Sequence, residues 1–198
     1  MYSGGADSTL CLYKAIKNHG EAAVLAVYVD FDCPKTNPNR EQNREHVFKA
    51  TQKFGVDLLV ETVKPEANGK GPEGNARIGL KRVQKWAEEN FDTVYVGHNK
   101  DDHIETVLIQ LFRGAGKGTR GIPDYHIGRI YRPLLTLTRE EVRKWCDRLS
   151  LEYFDDPSNV DTSMTRSFWR NEIIPKLKEH YGDGIYKRIS KIGDKFNE

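Results

Sequence analysis

The chain is predicted to fold as an α/β domain, a parallel sheet with helices on both faces. Three observations predict it. Apolar runs of strand length, such as Ala22 to Val29, are nearly continuous, as expected of strands buried on both faces. These runs alternate with segments of helical period, the pattern of right-handed β-α-β crossovers. A glycine turn, Ser3-Gly4-Gly5-Ala6-Asp7-Ser8, opens directly onto an apolar helical run from Leu10 through Leu12 to Ile16. At 198 residues the chain suits one domain, 1–198, with enough length for a sheet covered by helices.

The elements follow in order. Ala22 to Val29 is the first clear strand. Arg40 to Phe54 reads as a helix with Val47, Ala50 and Phe54 on one stripe, and Gly55 ends it. Val56 to Val63 is the next strand. Pro65 to Asn75, rich in Gly, Pro and Lys, reads as a surface loop. Ala76 to Asn90 is a helix and Thr93 to Gly97 a short strand. Asp101 to Phe112 is an amphipathic helix with Ile104, Leu108 and Leu111 turned inward. A glycine-rich loop runs from Arg113 to Gly121, Ile130-Tyr131 is a brief strand, and Arg139 to Leu149 is a helix. A helical segment begins at about residue 165. Trp145, Phe168 and Trp169 read as packing residues rather than base-stacking ones.

In such a sheet, ligands gather at the carboxyl ends of the strands, the edge that carries the glycine turn, Asp30 and His98. One element is missing. A turn of this kind should follow a buried strand, yet only Met1 and Tyr2 stand before Ser3. A central strand contributes several buried side chains at about 1.5–3 kcal/mol each, so its absence is the chief anomaly of the sequence.

Composition narrows the class. Thirty-one Lys and Arg nearly balance 29 Asp and Glu, for a net charge of +2, which excludes a histone-like polycation but not a local basic surface for RNA. Cys11, Cys33 and Cys146 are far apart, with no C-x-x-C pair and no zinc-ligand spacing, the usage of a reduced, cytoplasmic setting. No apolar stretch approaches the ~20 residues needed to span a membrane, and no secretory signal is evident. The sequence leaves the oligomeric state open, a homodimer included.

The glycine turn carries the chemistry. A turn at a helix start points several backbone N–H groups at one spot, where the helix dipole adds positive potential. Gly4 and Gly5 permit positive φ and close backbone approach, while Ser3 and Ser8 can donate to phosphate oxygens. Asp7 cannot bind a bare anion, so its presence implies a bridging divalent cation. The structural alternative is an ordinary turn in which Asp7 or Ser8 caps the helix.

A second polar cluster runs from Gly97 through His98, Asp102, Glu105 and Thr106. One reading is structural, with Asp102 and Glu105 forming a capping box at the helix start. The other is functional: Asp102 and Glu105 share a helical face and hold a cationic substrate, while His98 bonds phosphate or moves a proton.

The Ser3–Ser8 turn resembles the SGGxDS loop of the N-type ATP pyrophosphatases, the PP-loop superfamily with an adenine nucleotide alpha hydrolase-like fold. Its members cleave ATP to AMP and pyrophosphate to activate an oxygen for displacement. Members carry a short apolar strand ahead of the loop. Gly97 to Asp102, Glu105-Thr106, Arg113-Gly114-Ala115-Gly116 and Gly121-Ile122-Pro123 resemble the core of the tRNA(Ile)-lysidine synthetases. So do Arg132-Pro133-Leu134-Leu135, Asp155-Asp156-Pro157-Ser158-Asn159, and Arg166 with Arg170 ahead of Pro175. The resemblance covers nearly the whole chain in the family's order.

It implies adenylation of the 2-carbonyl oxygen of the wobble cytidine in a tRNA(Ile) with a CAU anticodon. The ε-amine of free L-lysine then attacks the activated carbon and AMP leaves. By the same resemblance Ser3, Gly4, Gly5, Ala6, Asp7, Ser8 and Asp30 bind ATP or pyrophosphate, and Asp7 also holds Mg2+. Asp7, His98, Asp102 and Glu105 are the catalytic set. Arg77, Arg113, Lys117, Arg120, Arg132, Arg166 and Arg170 join Asp102 and Glu105 in meeting lysine or tRNA. Two of those groups have plainer alternatives: a solvated linker for the Arg113–Arg120 loop, and a salt-bridged surface face for Arg166 and Arg170. The chain departs from the family pattern at Leu80, Lys81 and Ser167, and it carries no appended tRNA-binding domains. Two other readings stand beside this one, a tRNA thiolation enzyme and an inactive tRNA-binding remnant.

Overall fold

The computed structural model describes residues 1–32, 39–64, 71–123, 126–155 and 165–194. Cys33, residues 65–70 of the expected loop, and the Asp156-Pro157-Ser158-Asn159 stretch lie outside them. Helix α1 (Ala6–His19) leads into strand β1 (Leu25–Phe31), then α2 (Arg40–Phe54), β2 (Asp57–Val63) and α3 (Gly71–Asn90). Strand β3 (Val94–Tyr95) precedes α4 (Lys100–Phe112), followed by β4 (His126–Ile127), β5 (Ile130–Tyr131) and α5 (Arg139–Arg148). Helices α6 (Thr165–Phe168), α7 (Ile174–Tyr181) and α8 (Ile185–Asp194) close the chain, with a π-helical turn between α6 and α7.

Alternation along β1 shows how the layers form. Ala26 and Tyr28 pack with Leu12 of α1 and with Val47 and Ala50 of α2 on one face. Val27 and Val29 pack with Val63 and Val83, the latter from α3, on the other. Both faces of the strand are therefore covered by helices, which is why its sequence is apolar almost throughout. Strands β1 and β2 are parallel, in register from Leu25 opposite Asp57 to Phe31 opposite Val63. Strands β3 and β5 are also parallel, while the short β4 runs antiparallel to β5, a hairpin that the sequence reading did not contain.

The sheet is divided. Strands β1 and β2 form one part, and β3, β5 and β4 form another. At the place expected for a central strand stand Met1 and Tyr2. Tyr2 donates its N–H to the Val27 carbonyl at 2.8 Å, and the Met1 amine donates to the Tyr95 carbonyl at 3.0 Å, so this dipeptide bridges the two parts. Met1 sides with the α3 face and Tyr2 with the α1–α2 face, the alternation of a strand. Behind it, between the edges of β1 and β3, lies a cavity of about 340 Å³ bordered by Met1, Leu25, Val27, Phe91, Val94 and Tyr95.

Three further expectations change. The first strand begins at Leu25, because Glu21–Ala23 is a 3-10 turn. The expected loop to Asn75 ends by Gly71, where α3 begins. Leu111 is 42% exposed rather than inward, since the buried stripe of α4 runs through Ile104, Val107 and Leu108 against α8. Trp169 packs in the core, whereas Trp145 and Phe168 each remain 43% exposed.

Candidate nucleotide and acid–arginine site

The glycine turn sits at the start of α1, at the carboxyl edge of the sheet. Gly5 is the N-cap residue and no side chain caps the helix there. The first-turn N–H groups of Ala6, Asp7 and Ser8 therefore have no intrahelical acceptor, the first requirement for an anion cradle. The capping alternative for Asp7 or Ser8 is not what forms. The Ser8 hydroxyl instead donates to the Gly5 carbonyl at 2.9 Å and accepts from the Ser3 N–H and hydroxyl, each at 3.1 Å, closing the turn on itself. Gly4 has φ of +83°, and a Cβ there would lie 3.0 Å from Asn43 Oδ1 and 3.1 Å from Val47 Cγ2, so only glycine fits under α2.

Gly97, just after β3, brings the second polar cluster against this turn. A Cβ at Gly97 would stand 3.0 Å from the Asp7 carbonyl oxygen and 3.2 Å from the Ser8 nitrogen. That close approach lets Asn99 reach Asp7, its Nδ2 donating to Asp7 Oδ1 at 2.8 Å. Burial pushes the Asp7 carboxyl above its ordinary range, and the Asn99 hydrogen bond opposes that shift.

Helix α4 does begin with a capping box, but one turn earlier than the sequence suggested. Asn99 accepts from the Asp102 N–H at 2.9 Å, and Asp102 Oδ2 accepts from the Asn99 N–H at 3.1 Å. Glu105 is freed from that role and is fully buried. Its carboxylate takes Arg170 Nε at 2.8 Å and Nη2 at 3.0 Å, and Arg139 lies 3.5 Å away. Asp102 Oδ1 takes Arg139 Nη2 at 3.0 Å, with Arg170 at 3.6 Å. The two acids that the sequence assigned to a cationic substrate are thus already matched by two guanidinium groups. Arg139 also donates its backbone N–H to Asp101 Oδ2 at 2.7 Å, while Tyr186 of α8 donates to Asp101 Oδ1.

His98 stands beside this network. Arg132, 7% exposed, donates Nε to His98 Nδ1 at 3.4 Å, so the ring nitrogen facing it is unprotonated. Burial lowers the His98 pKa, and Arg132 and Arg166 lower it further against the raising effect of Asp102. Arg166 donates to Thr106 Oγ1 at 2.9 Å. Arg132, Arg139, Arg166 and Arg170 thus gather with Asp7, Asp101, Asp102 and Glu105 in one largely buried network of guanidinium and carboxyl groups.

The remaining candidates lie elsewhere. Asp30 is fully buried and both its oxygens are held by Arg40, at 2.7 and 2.8 Å, so its carboxylate is not presented directly to a nucleotide. Arg40 also pairs with Asp32, and Arg44 lies 3.7 Å from Asp30 Oδ2 on the more exposed side. Arg77 is exposed on α3, and no contact among the described residues joins it to the Asp7–Asp102 cluster. Arg113, Lys117 and Arg120 are all exposed in the loop after α4. Gly121 N donates to Gln110 Oε1 at 2.8 Å and anchors the far end of that loop.

Sequence reasoning missed Arg139, Asn99, Arg40 and Tyr186. The Asn99–Asp102 spacing was an available signal for the first helical turn. Arg139 follows the Thr138 cap of α5 and reads as a surface residue, since its partners lie more than 30 positions away.

A glycine-turn anion cradle at a helix start, on the carboxyl edge of a parallel sheet and facing an arginine-rich cluster, defines a nucleotide-binding α/β domain. The family model described as the PP-loop domain matches residues 1–177, and the chain belongs to that family. It is 32% identical over 190 residues to the tRNA(Ile)-lysidine synthase of Burkholderia mallei, covering 91% of this chain and 38% of that one. The Buchnera aphidicola (Baizongia pistaciae) enzyme of the same name is 30% identical over 190 residues, 91% of this chain and 42% of its own. The Bacillus subtilis one is 29% identical over 205 residues, 99% and 43%. The chain spans about two fifths of the length of these relatives. In fold it is similar to the U34-tRNA thiolase NcsA of Methanococcus maripaludis, with a TM-score of 0.74 and 18% identity over 98% of this chain and 70% of that one.

Proposed function

We propose that the protein is an ATP-dependent ligase that joins L-lysine to the wobble cytidine of a tRNA(Ile) with a CAU anticodon, releasing AMP and pyrophosphate. The observation that carries the reading is the joining of the Ser3–Ser8 cradle to the Asp102–Glu105 acids through Asn99, in a chain whose relatives bear the lysidine synthase name.

The N–H groups of Ala6, Asp7 and Ser8, with the Ser3 hydroxyl, hold the β- and γ-phosphates and stabilise the charge of departing pyrophosphate. Among the described residues no cluster of three or more His, Cys, Asp or Glu side chains would hold a metal ion alone. Asp7 offers Oδ2 beyond the oxygen that Asn99 holds. A single carboxylate completed by substrate phosphates and water is a donor set that suits Mg2+. Bound there, the ion would neutralise charge on the leaving pyrophosphate.

His98, uncharged at neutral pH, bonds the α-phosphate region. Arg132 and Arg166 orient the nucleotide and the RNA backbone, and Arg113, Lys117 and Arg120 of the exposed loop meet RNA phosphates. The lysine amine enters at Asp102 and Glu105 by displacing Arg139, the looser of the two partners of Glu105, and gives up a proton there before attack.

Among the described residues, the thiolation alternative gains nothing from the two thiols. Cys11 and Cys146 are both buried, and burial pushes their pKa values up to about 12 and about 11, so neither is a ready nucleophile. No helix among the described residues is long and apolar enough to cross a membrane, and a cytoplasmic setting with tRNA as partner belongs to this reading.

The test is incorporation of radiolabelled lysine into tRNA(Ile) with a CAU anticodon, alongside ATP-derived pyrophosphate release. Asp7→Ala should abolish pyrophosphate release, whereas Asp102→Ala should chiefly impair lysine use. Wild-type behaviour in both variants would remove the site from where it has been drawn.

A further inference from the structure

Asn99 has more to do than start helix α4. It is fully buried, and its backbone is pinned by a parallel bridge to Leu134 and by the following amide, Lys100 N–H to the Leu137 carbonyl at 2.8 Å. On that fixed base its carboxamide faces two ways. The oxygen takes the Asp102 N–H at 2.9 Å, and the nitrogen donates to Asp7 Oδ1 at 2.8 Å. The orientation of the amide is forced, because one neighbour is a donor and the other a carboxylate. A cap needs only an acceptor, which Ser, Thr or Asp supplies equally well. A donor and an acceptor on one rigid plane are specific to a carboxamide.

We propose that Asn99 is a positioning residue that fixes Asp7 of the phosphate cradle against the Asp102–Glu105 acids. By holding Asp7 Oδ1, it presents Oδ2 to the divalent cation carried by the nucleotide. The inference deepens the ATP-binding part of the reading above and rests on it. Its chemical logic is one of spacing. Two half-reactions on one activated base need the leaving-group end and the nucleophile end at a constant separation. A single side chain bonded to both ends supplies that separation with no flexible link between them.

The experiment separates the cap from the tether. Asn99→Ser keeps a capping oxygen and deletes the N–H toward Asp7. Asn99→Asp keeps the cap and turns an acceptor toward Asp7. Thermal melts of the 198-residue chain with ATP are recorded as Mg2+ is raised, which reads nucleotide-linked metal binding and not turnover. The half-saturating Mg2+ concentration should rise about tenfold in Asn99→Ser, the loss expected for one hydrogen bond to a charged group. It should rise further in Asn99→Asp, while both variants melt cooperatively without nucleotide.

Wild-type Mg2+ dependence in both variants would overturn the proposal, and so would a loss of thermal stability in Asn99→Ser with the Mg2+ midpoint unmoved, which is the signature of a cap alone. A wild-type protein whose melt ignores Mg-ATP altogether would instead remove the nucleotide reading, and this inference with it.

Discussion

Replacing Arg170 by methionine tests whether the acid–arginine network is a buried structure or a loose surface feature. Glu105 is fully buried, and Arg170, with 26% of its side chain exposed, gives it two hydrogen bonds at 2.8 and 3.0 Å. Methionine keeps much of the side-chain volume and deletes the charge, so the carboxylate loses its main partner. Breaking a buried pair from one side costs about 3–5 kcal/mol, because the remaining charge stays out of water. Arg139 remains 3.5 Å away and offsets part of that loss, which places the expectation at the lower end, near 3 kcal/mol. For a domain of this size, that is a fall in Tm of roughly 6–12 °C. Glu105→Gln removes the stranded charge, so the double variant Arg170→Met/Glu105→Gln should recover much of the loss, with a coupling energy of about 2 kcal/mol. Urea and thermal unfolding of the four proteins measure it. A single-variant shift below about 2 °C, or simple additivity, would show that the pair behaves as an exposed ion pair and would refute the reasoning.

Three other outcomes are expected. Gly97→Ala places a methyl 3.0 Å from backbone of the glycine turn, which cannot swing aside, so it should cost about 1–3 kcal/mol and weaken Mg-ATP binding; calorimetric affinity equal to wild type would contradict the close approach. His98, with its pKa held below the ordinary 6.5 by burial, contributes stability that is fully present above that value and lost as pH falls through its lower folded value. Unfolding free energies at pH 5 and 7.5 should therefore differ less in His98→Gln than in wild type, and an unchanged difference would place the titration elsewhere. A short apolar strand appended ahead of Met1, directed along the cavity of about 340 Å³, should raise Tm through buried side chains at about 1.5–3 kcal/mol each. The same segment with its apolar residues changed to Ser should not, and equal melts for the two would show that the gap takes no strand.

Legibility in the sequence followed the range of the interactions. The glycine turn, the alternating strands and helices, and the helical end from Thr165 were visible because each is written in a few adjacent residues. Leu111 was misplaced because its periodic position is correct but α8 and the π-helical turn cover a neighbouring stripe of α4. Asp30 was placed correctly at the strand end, yet its partner Arg40 sits ten positions on, across a stretch with no regular pattern to tie the two. The acid pair shows the limit most clearly. Asp102 and Glu105 announce themselves by spacing, whereas whether they await a ligand or are already matched depends on Arg139 and Arg170, 34 to 68 positions downstream. Buried charge must be compensated somewhere, so a sequence carrying two inward acids on one helix requires either cations from the fold or cations from a substrate. Here the fold supplies them, so under the proposed lysine reading the amine would enter by exchange with a guanidinium rather than by filling an empty acid pocket. Exchange would make discrimination a difference between two cations in the same place: at Glu105 Arg139, 3.5 Å away against 2.8 Å for Arg170, is the one that yields, whereas at Asp102 it is the closer partner.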